Sequence, residues 1–374
     1  MAGDGSTPST ARRVRKGGQR APTFAALDLG TNNCRLLIAE RAGDSFRVVD
    51  SYSRIVRLGE GLNATGKLSD AAMNRAFEAL SVCSDRIKKN KVSKVRCIGT
   101  QACRVAENGG QFAKAVKAKT GLSLEIISPK EEAKLALIGS WDLIDTSRDF
   151  TLVVDIGGGS TELSWVDANA ARSRGVAGCM KRPTILGWGS FPIGVVTLSE
   201  AFPEDGADWY EQLVQYVVDL LSEHDSATRF GALFQKGRGQ LLGTSGTVTS
   251  LAAVHLGLDR YVRSAVDGTW VSFEEMVAAR EKLRLATPDE RAQIPCIGAD
   301  RADLVLAGCA ILDAIWRLWP SERLRAADRG LREGVLLGLM QDSGGSKRRR
   351  RSKRKKSPAK TGVGQSESSE THDG

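Results

Sequence analysis

The chain has 374 residues, of which 41% are hydrophobic and 26% are charged, so it has the composition of an ordinary soluble protein with room for two domains. It has no apolar run of about 18 residues and no apolar segment behind its basic N-terminus, which argues against a membrane span and a signal peptide. The seven cysteines include no Cys-x-x-Cys pair, and there are only three histidines, so neither a zinc site nor a His-based triad is expected. We expect reduced thiols in a cytoplasmic protein.

The net charge of +10 lies at the two ends of the chain. Residues 1–22 carry five basic and one acidic side chain, residues 343–374 carry ten basic and three acidic ones, and residues 23–342 are close to neutral. Both ends are poor in apolar residues, so we expect disordered basic tails. The basic run at 347–356 would bind polyphosphate or RNA without sequence preference, and a solubilising role is an equally good interpretation.

The first predicted unit is a strand, a tight turn and a second strand. An apolar run ends at Asp28, a turn follows at Gly30, Thr31 and Asn32, and residues 36–39 are apolar again. Glycine and small polar residues allow backbone N–H groups to approach an anion closely. An aspartate at the end of a strand is suited to hold hydrated Mg²⁺ or to orient water. An ordinary hairpin with turn glycines is the alternative.

Strands and helices alternate through the rest of the first half. The predicted strands are 46–49, 53–58, 95–98 and 124–127. A helix is predicted at 71–87 with Ser69 as its N-cap. The segment from Gly61 to Lys67 has the spacing of a P-loop, but Leu68 stands where a Mg²⁺-binding Ser or Thr is required, so we interpret it as a loop.

A further helix begins after Ser128, with Pro129 at the first helical position and Glu131 as the capping partner. Glu132 lies in the same first turn and has no structural role in this pattern. The helix dipole favours its ionised form, which suits a base that activates water, although an acidic first turn is usual in helices. Arg104, after the strand at 95–98, is interpreted equally well as a phosphate clamp or as a solvated helix residue.

The second half repeats this plan. Asp155 ends another apolar run, and a turn leads through Glu162 into a second strand. The turn consists of Gly157, Gly158, Gly159 and Ser160. Two copies with an aspartate in the same place favour phosphate binding over two unrelated hairpins.

A third glycine turn follows a predicted strand at 240–242 and leads into a helix from Val248. Its residues are Gly243, Thr244, Ser245, Gly246 and Thr247. Glycine turns at helix N-termini attract anions, although this signal is weak when it stands alone. Late helices are predicted at 302–318 and 330–340.

These segments resemble the exopolyphosphatase / guanosine pentaphosphate phosphohydrolase (Ppx/GppA) family of bacteria, which belongs to the actin-like ATPase superfamily. The resemblance covers about residues 24–340. It depends most on 28–32 with Arg35 and on 154–163, with support from 126–133, 192–196, 243–247, 301–308 and 330–334. Asn33, Cys34 and Lys134 depart from the usual residues of the family.

The resemblance implies an α/β fold of two ribonuclease-H-like domains, of the actin, sugar-kinase and chaperone-ATPase type, with an interdomain cleft. We accordingly expect four parts. They are a basic tail at 1–22, domain I at 23–143 joined by a C-terminal helix at about 326–342, domain II at 144–325, and a basic tail at 343–374.

The resemblance also implies hydrolysis of a terminal phosphoanhydride with Mg²⁺ and release of orthophosphate. Glu132 matches the catalytic glutamate of the family, and Asp155 and Glu162 match its metal-associated acids. The candidate phosphate-binding residues are Asp28, Gly30, Thr31, Asn32, Arg35, Arg104, Gly157, Gly158, Gly159, Ser160, Gly243, Thr244, Ser245, Gly246 and Thr247.

An exopolyphosphatase that acts on inorganic polyphosphate is the leading hypothesis. A guanosine pentaphosphate 5′-phosphohydrolase is a close second, and a kinase or ATPase would need a nucleotide pocket around 243–247. A polyanion-binding protein with a degenerate cleft is the non-enzymatic alternative. No membrane partner is expected, and a homodimer is left open. The longer members of the family have a third, histidine-rich helical domain that helps to hold extended polyphosphate. No such segment follows residue 342, so the resemblance does not imply processive hydrolysis.

Overall fold

The computed structural model describes the backbone of residues 21–43 and 45–353 and the side chains up to residue 343. The predicted disorder of the two tails concerns mainly residues outside these ranges. Every helix within the described ranges is too short or too polar to cross a membrane.

The first half of the described chain contains five strands and five helices. The strands are β1 (Thr23–Leu29), β2 (Asn33–Ala42), β3 (Ser45–Ile55), β4 (Lys94–Gly99) and β5 (Leu124–Ile126). The helices are α1 (Leu62–Thr65), α2 (Asp70–Lys89), α3 (Gln101–Val105), α4 (Gly109–Thr120) and α5 (Pro129–Ser140). The strands at 46–49 and 53–58 that the sequence predicts are one strand, β3.

The second half of the described chain contains six strands and ten helices. The strands are β6 (Phe150–Ile156), β7 (Thr161–Asp167), β8 (Ile185–Phe191), β9 (Gly239–Gly243), β10 (Trp270–Ser272) and β11 (Arg323–Ala326). The helices are α6 (Ala168–Lys181), α7 (Val195–Ala201), α8 (Trp209–Ser222), α9 (Asp225–Gln235), α10 (Gly246–His255), α11 (Arg263–Val266), α12 (Phe273–Leu285), α13 (Pro288–Gln293), α14 (Val305–Leu318) and α15 (Leu331–Lys353).

The two sheets share one strand arrangement, which confirms the α/β fold that the sequence predicts. The first sheet has the order β3-β2-β1-β4-β5, and the second has the order β10-β11-β9-β6-β7-β8. In each, an antiparallel hairpin (β1/β2 or β6/β7) is followed by a strand parallel to its first member. We call the first sheet with the elements packed on it the first lobe, and the second sheet with its elements the second lobe.

Both predicted serine caps are present, and they fix where α2 and α5 begin. Ser69 Oγ accepts a hydrogen bond from the backbone N–H of Ala72, and Ser128 Oγ accepts one from that of Glu131, each at 3.2 Å. The Glu131 carboxylate forms ion pairs with neighbouring basic side chains, Arg96 and Lys134. The prediction that Glu131 is the capping partner is therefore wrong, because its carboxylate forms these ion pairs and accepts no hydrogen bond from the Ser128 N–H.

Helices α5 and α15 cross very closely because each carries a glycine at the crossing. A Cβ atom on Gly139 would lie 1.8 Å from the carbonyl oxygen of Gly330, and one on Gly334 would lie 2.0 Å from that of Leu135. The apolar side of α15 covers one face of the first sheet, where Leu336 is fully buried. Helix α15 begins at Leu331, one residue after the start of the helix predicted at 330–340, and continues to Lys353, into the segment that the sequence assigns to the tail.

Candidate active site

A cavity of about 510 Å³ lies where the hairpins of the two sheets face each other. Most of the predicted site residues line it: Asp28, Gly30, Thr31, Asn32, Arg35, Glu132, Asp155, Gly157, Gly158, Gly159, Ser160, Glu162, Thr244, Ser245, Gly246 and Thr247. Gly243 and Arg104 are not among the lining residues. Gly243 lies at the end of β9, and Arg104 contacts the site through Glu132.

The first two turns have the same geometry. The N–H of Gly30 donates to the carbonyl of Asn33, and the N–H of Gly157 donates to the carbonyl of Ser160, each at 2.8 Å. The strand registers are also equivalent, since Asp28 pairs with Arg35 and Asp155 pairs with Glu162. The duplication predicted from the sequence is therefore a structural repeat.

The two turns also touch each other. A Cβ atom on Gly158 would lie 3.0 Å from Cβ of Thr31, and one on Gly159 would lie 2.2 Å from Oε1 of Gln101. Gln101 Oε1 accepts a hydrogen bond from the Thr31 hydroxyl at 3.1 Å. Only glycine leaves space for this approach, so the contact explains the second and third glycines of the turn at 157–159.

The third glycine turn closes the cavity on the second lobe. The Thr244 N–H donates to the Val154 carbonyl at 2.8 Å, which ties the turn to β6. Ser245 caps α10 by accepting a hydrogen bond from the N–H of Val248 at 3.2 Å. A Cβ atom on Gly246 would lie 3.8 Å from the Arg35 guanidinium, so this turn lies beside a cation of the first lobe.

Glu132 lies in the first turn of α5 and is 7% exposed. Its Oε2 accepts a hydrogen bond from Arg104 Nη1 at 3.1 Å, and the same guanidinium donates to the Ile127 carbonyl at 2.9 Å. Burial and the nearby charge of Glu162 raise the pKa of Glu132 well above its usual range, and Arg104 opposes this rise. A carboxylate with a raised pKa is a stronger base toward water.

Three further acids of the cavity have raised pKa values, with burial as the main cause. Burial raises the pKa of Glu162 to about 7, with repulsion from Asp155 adding to it and hydrogen bonds from Ser160 and Ser190 opposing it. Burial likewise raises the pKa of Asp155. The pKa of Asp28 rises to about 6 through burial, against the attraction of Arg35. Oδ1 of Asp28 is buried and has no hydrogen-bond partner within the described part of the chain.

The acids fit Mg²⁺ as the cation that the sequence implies. No group of three or more His, Cys, Asp or Glu side chains within the described ranges has the geometry of a metal cage. Mg²⁺ does not require one, because it keeps several waters and is usually bound by one or two carboxylates and by phosphate oxygens. Asp155 and Glu162 repel each other across the hairpin, and a divalent cation would relieve that repulsion.

Five arginines of the described part of the chain line the same cavity, and the sequence assigned only Arg35 of these to the site. They are Arg35, Arg263, Arg301, Arg329 and Arg332, of which Arg263 and Arg329 form ion pairs with neighbouring acids. Arg301 donates to the Ser250 hydroxyl at 3.0 Å. Across the described ranges, Arg35 and Arg332 form no ion pair within 4.0 Å, so both guanidinium groups are available to an anion. Burial, followed by the nearby Arg332, lowers the pKa of Arg35.

Arg332 and Gln101 carry no local signal as site residues. The structural repeat nevertheless relates Arg332 to Glu132. The Ile127 N–H donates to the Gly99 carbonyl in the first lobe, and the Ala327 N–H donates to the Gly243 carbonyl at the equivalent place in the second. The helices that follow, α5 and α15, therefore start at equivalent places. One contributes Glu132 to the cavity and the other contributes Arg332.

The model of the Ppx/GppA phosphatase family matches residues 37–343. The chain belongs to this family. A curated relative, the guanosine-5′-triphosphate,3′-diphosphate pyrophosphatase of Aeromonas hydrophila, is 29% identical over 323 residues, which cover 86% of this chain and 60% of the relative. The chain thus spans about three fifths of the length of the curated relatives that it matches.

Solved structures are similar over most of their length. An exopolyphosphatase-like protein is 28% identical with a TM-score of 0.73, over 85% of this chain and 97% of that one. An exopolyphosphatase from Cytophaga hutchinsonii has a TM-score of 0.75 over 86% of this chain and 98% of that one, and at 24% identity it supports the fold alone.

Proposed function

We propose that this protein hydrolyses the terminal phosphoanhydride of a linear phosphate chain, with inorganic polyphosphate as its main substrate. The observation that supports this most is that two equivalent glycine turns and Glu132 line one cavity, with Glu162 and Asp155 near Glu132 and Arg104 bonded to it. Backbone N–H groups of such turns bind phosphate oxygens. Phosphoryl transfer depends chiefly on positioning and on neutralising charge, and the cavity has groups for both.

Glu132 is the proposed general base. It takes a proton from a water molecule whose oxygen attacks the terminal phosphorus, and the bond to the bridging oxygen breaks. The products are orthophosphate and a chain shorter by one phosphate. Arg104 orients the carboxylate through its hydrogen bond at 3.1 Å. Arg35 and Arg332 neutralise charge on the phosphate oxygens.

Mg²⁺ is a further proposal. Asp155 and Glu162 would hold it, and it would neutralise charge on the phosphoryl group as that group is transferred. Ser160 and Ser190 orient Glu162 for this role, because their hydroxyls donate to its Oε1 at 2.8 and 2.9 Å.

Removal of the 5′-terminal phosphate of guanosine pentaphosphate is the second candidate. The Aeromonas relative supports it, because its name describes a pyrophosphatase for a guanosine polyphosphate. Among the described residues, Tyr261 is the one aromatic side chain that lines the cavity, and it is 37% exposed. One exposed ring provides limited surface for a base, whereas the arginines suit a bare phosphate chain, so we rank polyphosphate first.

Orthophosphate release from both substrates by one protein preparation, with and without Mg²⁺, tests the proposal. We expect faster release from polyphosphate, and Glu132→Gln should lower kcat by at least about 10²-fold. Glu131→Gln is the matched control, because Glu131 is adjacent and does not line the cavity. Faster release from guanosine pentaphosphate would select the second candidate. Release from neither substrate, or normal turnover by Glu132→Gln, would reject hydrolysis by this site.

The basic run at 347–356 is proposed to bind the polyanion outside the cavity. Helix α15 starts at the cavity and ends at Lys353, so this run begins roughly 24 Å along the helix from Leu331, at 1.5 Å per residue. Deleting residues 343–374 should raise KM for long polyphosphate and leave KM for short chains unchanged. If the full-length and the truncated protein have the same KM for long polyphosphate, RNA is the alternative partner, and its salt-dependent binding to the two proteins is then measured. Equal RNA binding by the two proteins would exclude a binding role for the run.

A further inference from the structure

The loop at 56–61, between β3 and α1, holds the first glycine turn in place through backbone hydrogen bonds. The N–H groups of Val56 and Arg57 donate to the Asn32 carbonyl at 2.8 and 3.0 Å, and the N–H of Gly59 donates to the Thr31 carbonyl at 2.9 Å. A Cβ atom on Gly59 would lie 2.3 Å from Cγ2 of Thr31, so the loop and the turn are in close contact. A shift of this loop would therefore move the turn.

Helix α7 supports the second glycine turn in the same way. The N–H of Val195 donates to the Gly157 carbonyl at 3.0 Å, and the N–H of Val196 donates to the Gly158 carbonyl at 2.8 Å. A Cβ atom on Gly194, the residue before α7, would lie 2.5 Å from the Gly159 nitrogen. The position of α7 is thus coupled to the position of the second turn.

Two contacts extend from the loop at 56–61 to the second lobe, outside the cavity, and one of them reaches α7. The N–H of Gly61 donates to Oε1 of Glu200, in the last turn of α7, at 3.1 Å. Arg57 Nη2 lies 3.1 Å from Oδ2 of Asp303, which is two residues from Arg301 of the cavity. Arg57 has a left-handed backbone, with φ of 44°, which is uncommon for a residue with a side chain and is retained where surrounding contacts require it.

We propose that Glu200, with the Arg57–Asp303 pair, is a positioning element that couples the packing of the two lobes against each other to the alignment of the two phosphate-binding turns. It rests on the proposed hydrolysis, since alignment matters only if both turns grip one phosphate chain. Each contact is solvent-exposed and is individually weak. The effect of these contacts comes from their position. The Glu200 contact connects the support of one turn to the support of the other, and the Arg57–Asp303 pair connects the first support to the segment before α14, which carries Arg301.

Removing the Glu200 acceptor tests the coupling. Glu200→Ala should lower kcat/KM for polyphosphate about 3- to 10-fold, since small misplacements of reacting groups cost rate steeply. Glu200→Gln keeps an oxygen at Oε1 and should stay within about twofold of the unmodified protein. Asp205→Ala is the matched control, because Asp205 is an exposed acid just after α7 and forms no hydrogen bond or ion pair with the first lobe among the described residues. Equal activity of Glu200→Ala and Asp205→Ala would overturn the proposal.

A charge exchange tests the second contact. Asp303→Arg alone should lower kcat/KM, and Asp303→Arg combined with Arg57→Asp should recover it, since aspartate tolerates a left-handed backbone. If the single and the double variant are both folded and the double variant does not recover activity, the Arg57–Asp303 pair is not part of the positioning element.

Amide hydrogen exchange separates this proposal from the proposed hydrolysis. In Glu200→Ala, the amides at 30–33 and 157–160 should exchange faster than in Asp205→Ala, whether or not the protein turns over any substrate. Unchanged exchange would overturn the coupling and leave the hydrolysis untouched. Faster exchange without turnover by the unmodified protein would reject the hydrolysis alone.

Discussion

Arg35 and Glu162 occupy the same position in the two copies of the hairpin. Arg35 pairs in register with Asp28, and Glu162 pairs in register with Asp155. The backbone is duplicated, but the charge at this position is opposite in sign. The first hairpin therefore presents a cation beside its aspartate, which suits a phosphate chain, and the second presents a second acid beside its aspartate, which suits a divalent cation on the other side of the cavity.

Glu162→Gln should stabilise the protein at neutral and alkaline pH in the absence of divalent cations. The folded state raises the pKa of Glu162 from 4.5 to about 7, so between these values the folded protein holds a proton that the unfolded chain has lost. The free energy of unfolding therefore falls as pH rises through this window. Glutamine removes that loss, and we expect a gain of about 1–3 kcal/mol at pH 8 and none at pH 4.

Thermal unfolding across pH measures this gain. Glu211→Gln is the control, because Arg317 lowers the pKa of the exposed Glu211 and its loss should give no gain at high pH. A destabilised Glu162→Gln at pH 8 would contradict the raised pKa of Glu162 that burial and the nearby Asp155 cause. The same substitution should weaken the activation of hydrolysis by Mg²⁺.

Arg104→Gln should move the acid limb of the kcat/KM profile to higher pH. Arg104 is the positive charge that opposes the raised pKa of Glu132, so its removal raises that pKa further and leaves less ionised base at a given pH. The measurement is the pH dependence of orthophosphate release. Arg96→Gln, which changes an arginine paired with Glu125 and Glu131, should leave the limb in place. A limb that does not move, or moves to lower pH, would contradict the assignment of Glu132 as the base.

Gly159→Ala should lower kcat/KM by separating the two turns. Its Cβ atom would lie 2.2 Å from Oε1 of Gln101 and 3.0 Å from the Thr31 hydroxyl. A misplacement near 1 Å can cost about 10²-fold in rate, and we expect a loss of between about 10- and 10²-fold. Gln101→Ala in the same chain should restore part of the activity, because it removes the nearest atom. A double variant no better than Gly159→Ala would show that this contact does not set the separation.

Gly139→Ala should destabilise the fold by at least about 2 kcal/mol, because its Cβ atom meets a backbone oxygen that no rotamer change can move. Urea unfolding measures the loss. Gly110→Ala is the control, since its Cβ atom would have no neighbour within 4 Å in helix α4, and it should be neutral or slightly stabilising. Equal midpoints for the two variants would mean that α5 and α15 separate without cost.

Local sequence patterns were sufficient for the hairpins, the serine caps and the repeat. An apolar run, an aspartate and a glycine turn determine β1/β2 and β6/β7 within a few residues, and Ser128 determines the start of α5. The sequence missed Gln101 and Arg332 because their roles depend on contacts between distant segments. It also divided β3 in two, since the alternating pattern is weak on a strand that is largely exposed.

The placement of α15 has a consequence for how the chain acquires its structure during synthesis. One face of the first sheet, which includes Phe24 and Leu37, is covered by Val335, Leu336 and Met340 from the end of the described chain. As the ribosome releases the N-terminal segments, this apolar face has to wait for roughly 300 further residues before its own helix emerges. We therefore expect the first lobe to need chaperones most during synthesis, before α15 has emerged.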